Sequence, residues 1–296
     1  MTEDNNKYMD HESKQEEIKS MSHESHNHED HQEKMNDEWH KGEKNPTITA
    51  LDGGKSMAEI YEADQAGAQP EIQHAFHNLT PTLGCSDGRK FEPRLARPGT
   101  GILAGVQATA DAIDELITSG EIKDKLEITD HKGCGAAKAV CDQLIIAGQP
   151  APKDPDELGK KFADDLAAEM KLRHPELKVI RRHVGADKME EFHTERVIYF
   201  DGTKKIHHRA TAKLPAGFTF TNLKMSDETT IKELKALCNI AFDEKHGFGK
   251  RFTSVHPFRI IVSARNKAEL DEQLALARKV AAGYDYRVAV DGFIIG

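Results

Sequence analysis

The chain has 296 residues, of which 38% are hydrophobic, and a formal net charge of −9. That length suits one large domain or two small ones, and the charge leaves no basic excess for nucleic acid. Four cysteines are too few for a disulfide scaffold of this size, and no apolar run reaches the ~20 residues of a membrane-spanning helix.

Most of the negative charge lies at the N-terminus. Met1 to Asn45 holds 13 Asp/Glu and 6 Lys, a net of −7, which leaves the remainder near −2. Such a stretch cannot bury enough apolar surface to offset its ordering entropy, so residues 1–50 are expected to form a disordered acidic tail, with Trp39 an exposed singleton. His11, His23, His26, His28, His31 and His40 punctuate it. A solubilising role is expected, with weak metal gathering by the imidazoles as the alternative. The first residues lack a basic stretch followed by an apolar one, so a cytoplasmic location is expected.

Ser56 to Ala66 is predicted as a short helix with Met57, Ile60 and Tyr61 on one face, ended by Gly67 and Pro70. A buried strand should finish near Leu83 and feed a loop at Gly84-Cys85. Leu103 to Thr118 repeats Val106, Ala110, Ile113 and Ile117 at helical spacing and stops before Gly120. Leu126 to Thr129 is a strand, and Ala136 to Ala147 a helix opened by Cys134-Gly135. Beyond a Pro-rich loop come a helix over Asp156–Arg173, a strand over Leu177–Ile180, and an Asp-Gly hairpin over Arg196–Ile206. Thr229–Phe242 and Lys267–Ala282 read as helices, and Phe258–Val262 and Tyr286–Val290 as strands. This alternation implies a mostly parallel sheet flanked by helices, an α/β fold. Residues 51–210 are expected to form its main domain and residues 211–296 a small α/β appendage without a chemical motif. Gly247-Phe248-Gly249-Lys250 lacks the rest of a phosphate loop.

Two short stretches carry the chemistry. Gly84-Cys85-Ser86-Asp87-Gly88-Arg89 offers one thiolate, and Asp130-His131-Lys132-Gly133-Cys134-Gly135 offers an imidazole and a second thiolate. Zn²⁺ favours such a mixed sulfur and nitrogen set, and a catalytic zinc keeps three protein ligands with one position open. His131 and Cys134 are spaced to reach one ion from one loop, with Cys85 coming from elsewhere in the fold. Asp87 and Arg89 place a charged pair where a structural zinc ribbon supplies more cysteine. Cys141, seven residues past Cys134 on the same helix, is expected to pack in the core.

Cys85-x-Asp87-x-Arg89 followed by His131-x-x-Cys134-Gly135 resembles the β-class carbonic anhydrases, over about Ile72 to His207. The resemblance implies that Cys85, His131 and Cys134 bind zinc and that Asp87 and Arg89 govern the fourth position. It also implies reversible hydration of carbon dioxide to bicarbonate by zinc-bound hydroxide. Asp87 would orient the hydroxide, or in a second state ligate the metal itself, and Arg89 would hold Asp87. A homodimer or larger homo-oligomer is implied too. Where the family carries Arg-Asn-x-Gly-Asn, this chain has Arg97-Pro98-Gly99-Thr100-Gly101 without either Asn. Two other functions compete: a carbonyl sulfide or carbon disulfide hydrolase on the same scaffold, and a non-catalytic zinc-binding or interaction protein. The second gives Asp87 and Arg89 nothing to do.

Overall fold

The computed structural model describes residues 32–77, 82–87, 95–188, 193–203, 207–208, 211–223 and 225–295. The chain divides into two compact units, Met1–Glu43 and Lys44–Gly296. In the first, residues 32–43 form helix α1. Trp39 is only 7% exposed, and its Nε1 donates to Glu43 Oε1 at 2.9 Å. The expected disordered tail is therefore corrected for residues 32–50. Acidic composition conceals a helix whose Met35 and Trp39 are buried one turn apart and whose charges pair locally, Lys41 with Glu38 and His40 with Glu43. The cluster His23–His31 lies outside the described residues.

The second unit opens with helices α2 (Pro46–Asp52), α3 (Met57–Gln65) and α4 (Ile72–Ala75), then strand β1 (Phe76–His77). Asn45 caps α2 by accepting from the Thr47 and Ile48 amides, with Pro46 in the first turn where its missing N–H costs nothing. Ser56 and Glu59 cap α3 reciprocally. Next come β2 (Thr82–Gly84), β3 (Leu95–Ala96), α5 (Val106–Thr118), β4 (Lys125–His131), α6 (Gly135–Ile146), α7 (Pro155–Arg173) and β5 (Lys178–Val184). The chain continues through β6 (Val197–Asp201), β7 (His207–His208), β8 (Gly217–Thr221), α8 (Asp227–Ala241), β9 (Phe258–Ala264), α9 (Lys267–Ala281) and β10 (Val288–Ile294).

The fold is α/β, with two four-stranded sheets, each entirely parallel, in the orders β3-β2-β4-β5 and β10-β9-β6-β8. Every residue of β6, β8 and β9 is buried, as parallel strands covered on both faces require. Leu83, Ile113, Leu126, Ile128, Phe162 and Leu166 centre the core of the first sheet. The second sheet packs Val197, Tyr199, Ile261 and Phe293 against Ile48, Leu51, Met57 and Tyr61 of α2 and α3.

Two expectations are corrected here. β6 belongs to no hairpin: it pairs in parallel with β8 on one edge and β9 on the other, while β7 pairs antiparallel with β1. A central strand needs both hydrogen-bonding edges filled, and residues beyond 210 fill them. The C-terminal strands therefore complete the unit 44–296, and the boundary expected at 210 does not separate compact bodies. The sheets meet where β8 approaches the loop after β2: Thr219 N donates to Ser86 O at 3.1 Å, and Ala96 N to Thr221 Oγ1 at 2.9 Å. Among the described residues no helix is long and apolar enough to cross a membrane.

Candidate metal centre

β2 lies between β3 and β4, so the chain leaves β2 to one side and returns through α5 to the other. Such a reversal opens a crevice at the carboxyl ends of the strands. Cys85 follows the last residue of β2, His131 is the last residue of β4, and Cys134 is the N-cap of α6. The parallel register Leu83↔Ile128 brings the first two to the same end of the sheet.

One donor atom from each of Cys85, His131 and Cys134 lies within 4.8 Å of the others, and none of the three residues is more than 6% exposed. The two Sγ atoms are 3.9 Å apart. His131 Nδ1 is 2.9 Å from the Lys132 carbonyl, which only accepts, so Nδ1 carries a proton and Nε2 is the nitrogen left for a metal. That Nε2 is buried and finds no hydrogen-bond partner among the described residues. A buried imidazole nitrogen aimed at two cysteines, with its other nitrogen fixed by a carbonyl, fits a metal ion. This group could hold one. All four cysteines are free and buried, and Cys141 stays outside the donor set.

The loop bearing these donors is pinned from several directions. Lys132 N donates to Val184 O at 3.0 Å, and Gly133 N to Asp156 Oδ1 at 2.8 Å. Asp130, next to His131, pairs with Arg181 and lies 2.8 Å from His183 Nδ1. Gly133 has φ +72, a conformation that residues with a Cβ rarely adopt.

The charges of the group are coupled. The shared hydrogen bond with Cys134, and then burial, push the Cys85 thiol well up. The same hydrogen bond lowers Cys134, against burial, with help from the Ala137 and Ala136 amides at the start of α6. Burial opposes charge on His131, yet its interactions with Cys85 and then Asp87 outweigh it and push the imidazole up to about 9. A metal entering here must displace protons from these groups.

Asp87, expected beside the centre, is there: it is 4% exposed, with Oδ2 3.6 Å from His131 Nε2. Arg89 lies outside the described residues. The segment Arg97–Gly101 lies against the cysteines. Pro98–Gly101 is a buried 3-10 turn whose Gly99 N–H donates to Cys85 Sγ at 3.2 Å, and whose Thr100 Oγ1 donates to Thr129 O at 2.6 Å. Gly99 has φ +56, and a Cβ there would stand 2.6 Å from Ile102 Cγ2 and 3.1 Å from Ala136 Cβ. Gly99→Ala is therefore expected to destabilise the protein by about 1–3 kcal/mol through left-handed strain and overpacking. Urea denaturation should show a lower midpoint, and an unchanged one would remove Gly99 from the segment's stability.

Two neighbours carry no motif and escape sequence reasoning. His193 and Glu195, just before β6, are buried, with His193 Nδ1 3.2 Å from Glu195 Oε2 and 3.9 Å from Asp87 Oδ1. Their alternation into a strand was the only signal available. His193 and Cys134 also line an open cleft of about 1240 Å³ between α6 and α8.

Comparison with known proteins adds no relative: no family model, no curated protein and no solved structure matches the chain.

Proposed function

We propose that the chain is a zinc enzyme hydrating carbon dioxide to bicarbonate, the reaction of the β-class carbonic anhydrases that its motifs resemble. The observation that carries this reading is a carboxylate, Asp87, buried against a two-cysteine, one-histidine donor set at the open end of a parallel sheet. Two thiolates and an imidazole already supply three ligands, which leaves the carboxylate beside them available to act on what the ion binds.

Cys85, His131 and Cys134 would hold the zinc. When bound, Zn²⁺ lowers the pKa of a coordinated water from about 15.7 toward 7 and so supplies a nucleophile at neutral pH. The chain's own residues do the rest. The Lys132 carbonyl fixes the His131 ring, and the Gly99 amide steadies the Cys85 sulfur. Asp87, as a carboxylate, accepts a hydrogen bond from the attacking water and turns a lone pair toward the carbon of CO₂. Its burial removes competing water, so the hydrogen bond acts at low dielectric. The attack forms one C–O bond, opens one C=O to an oxyanion and releases one proton. Arg89 belongs to this proposal as the partner that holds Asp87 through a charge-assisted pair.

The test is a CO₂ hydration assay of the purified full chain beside its zinc content. Wild type should hold about one zinc per chain and be active. Asp87→Asn should keep the zinc, because the residue lies outside the donor set, and lose about 10²-fold or more in kcat, the scale of a lost general base or charge-orienting group. An Asp87→Asn protein as active as wild type and equally loaded would sink the assigned role, as would a zinc-loaded wild type with no turnover.

A further inference from the structure

We propose a second cation site, built from Asp87, His193 and Glu195, that shares the Asp87 carboxylate with the cysteine centre. It takes a divalent ion harder than one that thiolates select, of the manganese or iron class.

Three observations carry it. First, one donor atom from each of the three residues lies within 4.8 Å of the others, and none is more than 6% exposed. Ligands ~2.1 Å from a common ion stand about 3–3.5 Å apart. His193 Nδ1 is hydrogen-bonded to Glu195 Oε2 at 3.2 Å and lies 3.9 Å from Asp87 Oδ1, distances close to that spacing. Second, the two oxygens of Asp87 are divided between the groups: Oδ2 faces His131 Nε2 at 3.6 Å and Oδ1 faces His193 Nδ1 at 3.9 Å. A carboxylate placed this way can serve the second group through Oδ1 while Oδ2 stays beside the cysteine centre. Third, His193 is held in place. Its amide donates to His246 O at 2.8 Å, and its ring packs on the buried Phe218 with centroids 5.5 Å apart.

The donor chemistry separates this group from its neighbour. Two carboxylates and one imidazole suit manganese, iron or zinc, whereas two thiolates and an imidazole select zinc. The cleft lined by His193 gives an entry path. The group exists only because two sheets meet: Asp87 follows β2 of the first, and His193 and Glu195 lead into β6 of the second.

The experiment uses the full chain loaded with one equivalent of zinc, freed of excess metal and titrated with Mn²⁺. Bound manganese is read by electron paramagnetic resonance, and both metals by mass spectrometry after desalting. Wild type is expected to hold one manganese beside its zinc. His193→Ala and the near-isosteric Glu195→Gln should each keep the zinc and weaken manganese by more than about 100-fold, beyond the 10–100-fold that loss of an outer-sphere partner costs. Cys85→Ser should lose zinc and still bind manganese. Circular dichroism confirms that each variant is folded, and Glu195→Gln carries the test should His193→Ala misfold. No retained manganese in wild type, or equal retention in the His193 and Glu195 variants, overturns the site. Failure of the hydration assay with manganese still bound would fall on the proposed activity alone.

Discussion

Cys85→Ser is expected to empty the cysteine centre of zinc and to bring CO₂ hydration down to the uncatalysed rate in the same step. The substituted hydroxyl barely ionises at neutral pH, so one of two sulfur donors is lost outright. His131 and Cys134 remain, and two donors leave the ion exposed to exchange. With the ion goes the acidification of its water from about 15.7 toward 7, so a partial loss of activity is not expected. Cys141→Ser is the matched control. Cys141 is also buried and lies on α6, but it stands outside the donor set, so zinc and turnover should both persist. Zinc per chain and stopped-flow hydration on the two variants decide the matter. A Cys85→Ser protein that kept its zinc would place the metal elsewhere in the chain.

Arg97→Ala is expected to destabilise the protein by about 3–5 kcal/mol at pH 8, the cost of leaving a buried charge without its partner. Arg97 and Glu233 are both fully buried and ion-paired. Arg97 also donates from Nη1 to Thr221 O at 3.1 Å, and its guanidinium lies 4.6 Å from the centre of the Phe220 ring. Burial pushes Glu233 up to about 7 against the pull of Arg97, and burial likewise lowers Arg97. Both directions say that the interior taxes these charges.

The sign of the pH dependence follows from that. A carboxyl whose folded pKa exceeds its unfolded value of 4.5 contributes stability that is full below 4.5 and is lost as pH rises through about 7. Without Arg97 the Glu233 pKa rises further. The penalty of Arg97→Ala should therefore be largest at pH 8 and much smaller at pH 5, where Glu233 is protonated. Denaturant melts at the two pH values read this directly. A penalty independent of pH would mean that the pair acts through packing alone. The double change Arg97→Met with Glu233→Leu should recover most of the loss, because hydrophobic replacement of a buried pair is often neutral.

The pair also matters to the centre. Arg97 N donates to Gly84 O at 3.0 Å and Ser86 N donates to Arg97 O at 3.1 Å, so the Arg97 backbone brackets Cys85. The side chain then ties that bracket to α8. Loosening it should weaken zinc retention as well as stability.

The order of elements was legible wherever periodicity was strong. The helix predicted over Leu103–Thr118 is α5 over Val106–Thr118, and those predicted after Cys134 and Asp154 are α6 and α7, within a residue of their starts. Each has its stop or start written locally, as with Asp154-Pro155 at α7. Less was legible at the N-terminus. Charge and histidine density led to the reading of residues 1–50 as a tail, which missed α2 behind its Asn45-Pro46 start, and the burial of Trp39 has no local signature.

The sequence by itself pointed to the three candidate donors. Spacing along a loop is a local property, so His131 and Cys134 could be grouped before any coordinates, and the resemblance of the motifs added Cys85; the fold brings one donor atom of each within 4.8 Å of the others. Tertiary structure decided what surrounds them. That β6 lies between β8 and β9, making one unit of 44–296, depends on edge pairing between distant segments, to which local periodicity is blind. For the same reason His193 and Glu195 reach Asp87, and Glu233 reaches Arg97, only through the junction of the two sheets. A buried polar group is defined by what the rest of the fold removes from water around it, and no neighbouring residue in the chain records that.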